Sequence, residues 1–150
     1  MSQSLAKILV HVIFSTKQRH PYLAPESRPE LHRYMATVLK SLESTAIVIN
    51  ALDDHVHILY RLSKNGAICD VVQEIKTSTS KWLKTKGAGL EKFQWQSGYG
   101  AFSVSPSQAD SVCRYFENQV VHHRKVSFQE EFRRFLVNCD VDFDERYVWD

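Results

Sequence analysis

Two runs of strand-forming residues stand back to back across a link of only two aspartates. The first is Thr45 to Leu52, the second His55 to Leu62, and Asp53-Asp54 joins them. A link this short reads as an antiparallel hairpin, so a sheet is fixed before any other element is considered. The second run begins His55-Val56-His57. Side chains alternate faces along a strand, so His55 and His57 project from one face, near the turn end of a rigid element. Imidazole is the commonest protein metal ligand, and two at this spacing can share a cation or a phosphate. A bare His-x-His also occurs as two surface polar residues, so the pair needs partners from elsewhere in the chain.

The remaining elements follow the same logic. Ala6 to Ser15 is short and rich in β-branched residues, which predicts a buried strand. Pro25 to Glu43 carries Leu31, Tyr34, Met35, Val38, Leu39 and Leu42 at helical spacing. Gly66 to Thr85 predicts a second helix, with Ile68, Val71, Val72, Ile75, Thr79, Trp82 and Leu83 inward and lysines and hydroxyl residues outward. Ala101 to Ser105 is a fourth short strand after an aromatic, glycine-punctuated segment; Trp95 and Tyr99 there suit either core-edge packing or base stacking. Pro106 to His123 predicts a third helix, capped by Ser105, and Ser127 to Val137 a fourth with a capping pattern at Ser127–Glu130. The aromatic, acidic tail from Asp140 to Asp150 is expected to pack down. The order β-α-β-β-α-β-α-α predicts an α+β, ferredoxin-like (RRM-like) antiparallel sheet, with helices packed on one face and C-terminal helices appended. With 150 residues and no repeat or linker, residues 1–150 are expected to form a single domain.

Composition narrows the function classes. A formal net charge of +2 permits a nucleic-acid partner without demanding one. Three scattered cysteines suggest neither a disulfide framework nor a structural zinc site, so a reducing, cytoplasmic setting is expected. Neither a signal segment nor a membrane-length apolar run is evident, and there is no phosphate-cradling Gly-rich loop for a nucleotide cofactor.

The third predicted helix supplies the partners for the histidines. Its apolar stripe is Ala109, Val112, Cys113, Phe116 and Val120, whereas Tyr115 and Gln119, four apart, share another face. Two imidazoles and an amide oxygen form an open ligand set for Mg²⁺ or Mn²⁺, and such a cation against a phosphodiester acts as a Lewis acid. A tyrosine hydroxyl can be the nucleophile that forms a covalent intermediate.

His55-Val56-His57, Tyr115 with Gln119, and Trp95-Gln96-Ser97-Gly98-Tyr99-Gly100-Ala101-Phe102-Ser103 together resemble the single-tyrosine HUH transposases, which move insertion sequences as single-stranded DNA. The resemblance covers nearly the whole chain, including Asp144-Glu145-Arg146-Tyr147 in the tail. It implies a ferredoxin-like homodimer with a divalent metal, Mg or Mn, on His55, His57 and Gln119. It also implies that Tyr115 takes the 5′ phosphate and releases a 3′ hydroxyl, and that DNA hairpins near the element's ends are recognised by basic surfaces. Lys17, Arg19, Lys76, Lys81, Arg124 and Lys125 are the candidate DNA-binding residues. A related branch of domesticated enzymes acts on repeated chromosomal palindromes and shares these motifs. A non-catalytic single-stranded nucleic-acid-binding module is the competing class; its exposed strands ought to carry stacking aromatics, where this chain offers histidines.

Overall fold

A computed structural model describes residues 2–119 and 126–150. The elements are β1 (Ile8–Ser15), α1 (Arg28–Ser41), β2 (Thr45–Ala51), β3 (His55–Leu62), α2 (Ile68–Leu83), β4 (Gly100–Val104), α3 (Ala109–Glu117) and α4 (Phe128–Asn138). They form one four-stranded antiparallel sheet in the order β2-β3-β1-β4. This is the split βαβ arrangement that the element order implies. A bulge between Ala46 and Val48 interrupts the β2–β3 hairpin register.

The pleat sorts the sheet into two faces. Val10, Val12 and Phe14 of β1 join Val56, Ile58 and Tyr60 of β3 on one face, under Leu31, Met35 and Leu39 of α1 and Val71, Val72 and Ile75 of α2. The alternate residues, Leu9, His11 and Ile13 of β1 and His55, His57 and Leu59 of β3, turn to the other face. There α3 and α4 cover them. Phe116 of α3 packs with Leu9 and Leu59, and the Asn50 amide on β2 donates to Phe116 O at 2.8 Å. Phe128, Phe132 and Leu136 of α4 pack on Ile13 and Phe102. Burying each such aromatic contributes roughly 2–3 kcal/mol, which seats both helices on the histidine face.

Several predicted bounds shift. The stretches Pro25–Ser27 and Pro106–Gln108 are 3-10 turns that lead into α1 and α3 rather than first turns of α-helix. In α4, the Ser127 side chain accepts from Glu130 N, as the capping pattern predicts. Val120 to Lys125, within which the predicted third helix ends, lie outside the described residues, as do His122 and His123. The tail packs only in part. Trp149 sits on Phe128 and Phe132, with Arg133 over its ring at 5.0 Å, whereas Phe143 and Tyr147 are exposed.

Candidate active site

His55 and His57 are both fully buried at the start of β3, beneath α3 and α4. Each ring is held through Nδ1. Asp54 Oδ1 lies 2.6 Å from His55 Nδ1, and His11 Nε2 lies 2.9 Å from His57 Nδ1. Both Nε2 atoms therefore face the same side, toward the carboxylate of Glu131 on α4. Glu131 Oε1 is 3.0 Å from His57 Nε2 and 3.8 Å from His55 Nε2. Ligand atoms of His55, His57 and Glu131 all lie within 4.8 Å of one another. Isolated burial of a carboxylate is costly, and here the imidazoles and a hydroxyl offset that cost.

That hydroxyl belongs to Tyr115. From α3 the half-buried Tyr115 donates its Oη–H to Glu131 Oε2, and its ring lies edge-on to His57 at 6.0 Å between centroids. Burial, and then the hydrogen bond to Glu131, push the Tyr115 hydroxyl well above the usual phenol range. Gln119 lies one turn on. It is fully buried, and its Nε2 donates to Tyr115 O at 3.2 Å. Its Oε1 is buried with no hydrogen-bond partner among the described residues. The two imidazoles and the Glu131 carboxylate converge within 4.8 Å as a donor set that suits a divalent cation such as Mn²⁺ or Mg²⁺, and the orphaned Gln119 amide oxygen, one turn on from Tyr115, is a further oxygen donor in search of a partner. The residues present therefore fit a metal ion.

Beside this cluster a cavity of about 360 Å³ opens between α3 and α4. Tyr115, Glu131, His11, Val112 and Phe135 line it, with Ser111, Arg134 and Asn138. The tyrosine thus has the His pair of its own chain behind it and an open space beside it.

Neither Glu131 nor His11 is identifiable as a site residue from motif spacing. Glu131 does leave a signal: Phe128, Glu131, Phe132 and Phe135 follow helical spacing, so a carboxylate interrupts an apolar stripe. An acid on a core-facing stripe is costly unless it is used. His11 sits within the apolar run of β1, on the parity of Leu9 and Ile13.

The basic candidates separate. Lys17 and Arg19 follow Ser15, which pairs with His55, so they lie at the histidine end of the sheet. Lys81 is exposed on α2, across the sheet from the His pair. Lys76 is committed to the protein itself. Its Nζ donates to the carbonyls of Gln96 (2.8 Å), Ser97 (3.2 Å) and Gly98 (2.6 Å) and stands over the rings of Phe14 and Tyr99. Burial pulls its pKa down to about 8. Trp95 resolves toward packing: it is buried, and its Nε1 donates to Thr79 Oγ1 at 2.9 Å. Tyr99 stays partly exposed. Arg124 and Lys125 lie outside the described residues.

Comparison with known proteins gives the family. The model described as "Transposase IS200 like" matches residues 4–119, which span β1 through Gln119 and hold His55, His57 and Tyr115. The chain belongs to this IS200-like transposase family. A curated relative, ISDra2 transposase TnpA of Deinococcus radiodurans, is 26% identical over 118 residues, covering 73% of this chain and 81% of the relative. Two solved structures share the fold. The crystal structure of a candidate transposase from Deinococcus radiodurans R1 has a TM-score of 0.59 at 23% identity, covering 79% of this chain and 98% of that one. A REP-associated tyrosine transposase bound to a REP hairpin has a TM-score of 0.61 at 16% identity, covering 96% of this chain and 93% of that one. Membership makes this chain a transposase by family, and among the described residues no helix is long and apolar enough to cross a membrane.

Proposed function

We propose that the chain is a metal-assisted tyrosine transposase that cuts and rejoins single-stranded DNA at hairpin-flanked ends through a 5′-phosphotyrosine intermediate. The observation that carries this reading is the meeting of Tyr115 Oη, Glu131 and the His55–His57 pair in one buried cluster, within a chain of the transposase family. His55, His57 and Gln119 would hold the cation, with Glu131 as a fourth ligand, and Mn²⁺ or Mg²⁺ is the ion proposed for this mixed set of two imidazole nitrogens and two oxygens. When bound, such a cation supplies positive charge that polarises the scissile phosphate and offsets the charge developing there.

The chain's own groups do the rest. Tyr115 Oη forms the bond to phosphorus as the bond from phosphorus to the 3′ oxygen breaks, and Glu131 Oε2, already its acceptor, receives the phenolic proton. The departing 3′ oxygen takes a proton and becomes the free 3′ hydroxyl. Bond energy stays in the phosphotyrosine link, so rejoining needs no nucleotide cofactor. The buried rings of Phe116 and Phe128 and the partly buried ring of Phe135 around the cluster limit water at the linkage. Hairpin DNA is the substrate class carried over from the REP-bound neighbour, with Lys17, Arg19 and Lys81 as backbone contacts. A homodimer in the cytoplasm completes the reading.

The test is incubation of labelled single-stranded flanking DNA with the full chain and Mn²⁺. The expected product is an adduct that survives denaturation and is lost with a chelator. DNA binding without an adduct on either strand of any flank would sink the catalytic reading and favour a binding module.

A further inference from the structure

His11 is the buried titratable side chain that the proposed reaction leaves unused. It is 3% exposed on β1, walled by Phe116, Phe135 and Phe102 at centroid distances of 5.1, 5.0 and 6.2 Å. Its ring stacks on His57 at 5.2 Å with 25° between planes, and the 2.9 Å contact joins His11 Nε2 to His57 Nδ1. Among the described residues His57 is its one hydrogen-bond partner. A leucine or valine would fill an apolar cage at lower desolvation cost, so the imidazole here calls for a role.

The two site histidines are held by different kinds of partner. His55 Nδ1 faces the Asp54 carboxylate, which only accepts when ionised and so keeps the His55 proton on Nδ1. His57 faces an imidazole, which can accept or donate at Nε2 because its own Nδ1 can carry the proton instead. That matters because His57 Nε2 lies 3.0 Å from Glu131 Oε1. With the proton on His57 Nε2, His11 Nε2–H donates to His57 Nδ1. With His57 Nε2 given to a cation, the proton sits on Nδ1 and His11 Nε2 accepts it. Each ring carries one proton in both arrangements, and a side-chain amide nitrogen or a carboxylate could serve only one of them.

We propose that His11 is the positioning residue of His57, holding that ring with Nε2 turned to the cluster in both proton arrangements and thereby setting the site's affinity for a divalent cation. The inference rests on the reading of His57 as a metal ligand. The experiment uses the full chain as wild type, His11→Phe and His11→Gln. Phenylalanine keeps the aromatic packing and removes the hydrogen bond; glutamine presents an amide near the position of Nε2. Mn²⁺ alone is the probe, titrated by electron paramagnetic resonance, and the ¹⁵N signals of the His57 ring are read in metal-free protein. His11→Phe is expected to weaken Mn²⁺ binding by about 10- to 100-fold and to move the His57 ring signals, with His11→Gln recovering most of the loss. Should the phenylalanine variant not fold, His11→Met removes the same bond with a side chain that adapts to its cage. Mn²⁺ affinity within twofold of wild type, with unmoved His57 signals, overturns the proposal. Absent Mn²⁺ binding by wild type, with His57 signals still moved by His11→Phe, overturns the metal reading and keeps the hold of His11 on His57.

Discussion

The burial of His11 makes the fold sensitive to acid, and the size of the effect can be worked out. Burial, and then the neighbouring His57, lower the His11 pKa from 6.5 to about 3. The unfolded chain binds this proton near pH 6.5 and the folded chain only near pH 3. The contribution is therefore fully present above pH 6.5 and is lost as pH falls from 6.5 toward 3. At about 1.36 kcal/mol per pH unit, moving to pH 4.5 costs roughly 2.7 kcal/mol from this one group. Because pH 4.5 lies more than a unit above the folded value, the unfolded pKa sets the loss. Against a domain stability of roughly 5–15 kcal/mol this is a large fraction. Urea unfolding of metal-free wild type and His11→Phe, each at pH 7.5 and 4.5, isolates it, since the variant lacks the group. The wild type is expected to lose about 2.7 kcal/mol more than the variant over that interval. Equal losses within about 0.5 kcal/mol would refute a buried, neutral His11.

Three further outcomes are expected. Gly100→Ala places a Cβ against the Phe132 ring and 3.1 Å from Ile13 Cγ2, so it should cost about 1–3 kcal/mol in denaturant unfolding and loosen the helix that carries Glu131. Lys76→Met removes the donor to three carbonyls, so amide exchange of residues 96–99 should rise while the salt dependence of DNA binding keeps its slope. Glu131→Gln should weaken Mn²⁺ binding by tenfold or more with little change in hairpin affinity, as measured by titration of each ligand.

How far the sequence reveals the molecule depends on how local each signal is. The β2–β3 hairpin needs only Asp53-Asp54 and the alternation around it, and its bounds follow within a residue. The His55–His57 face and the capped start of α4 are likewise local. The meeting of His11 with His57 is not, because it depends on the β1–β3 register across a separation of 46 residues, and register is a tertiary property. Glu131 is visible only as a misplaced acid on the Phe128–Phe135 stripe; its approach to His55 and His57 appears once α4 is laid over the histidine face. Lys76 on the outward face of α2 suits a phosphate contact by pattern, yet the fold brings the carbonyls of Gln96 to Gly98 within its reach. No local pattern encodes that approach.

Tandem mass spectrometry of the isolated protein–DNA adduct tests the central claim most directly. After digestion, a nucleotide linked through its 5′ phosphate to the peptide carrying Tyr115 is expected, with a cleaved strand ending in a 3′ hydroxyl. A nucleotide on any other residue, or a 3′-phosphate linkage, would contradict it.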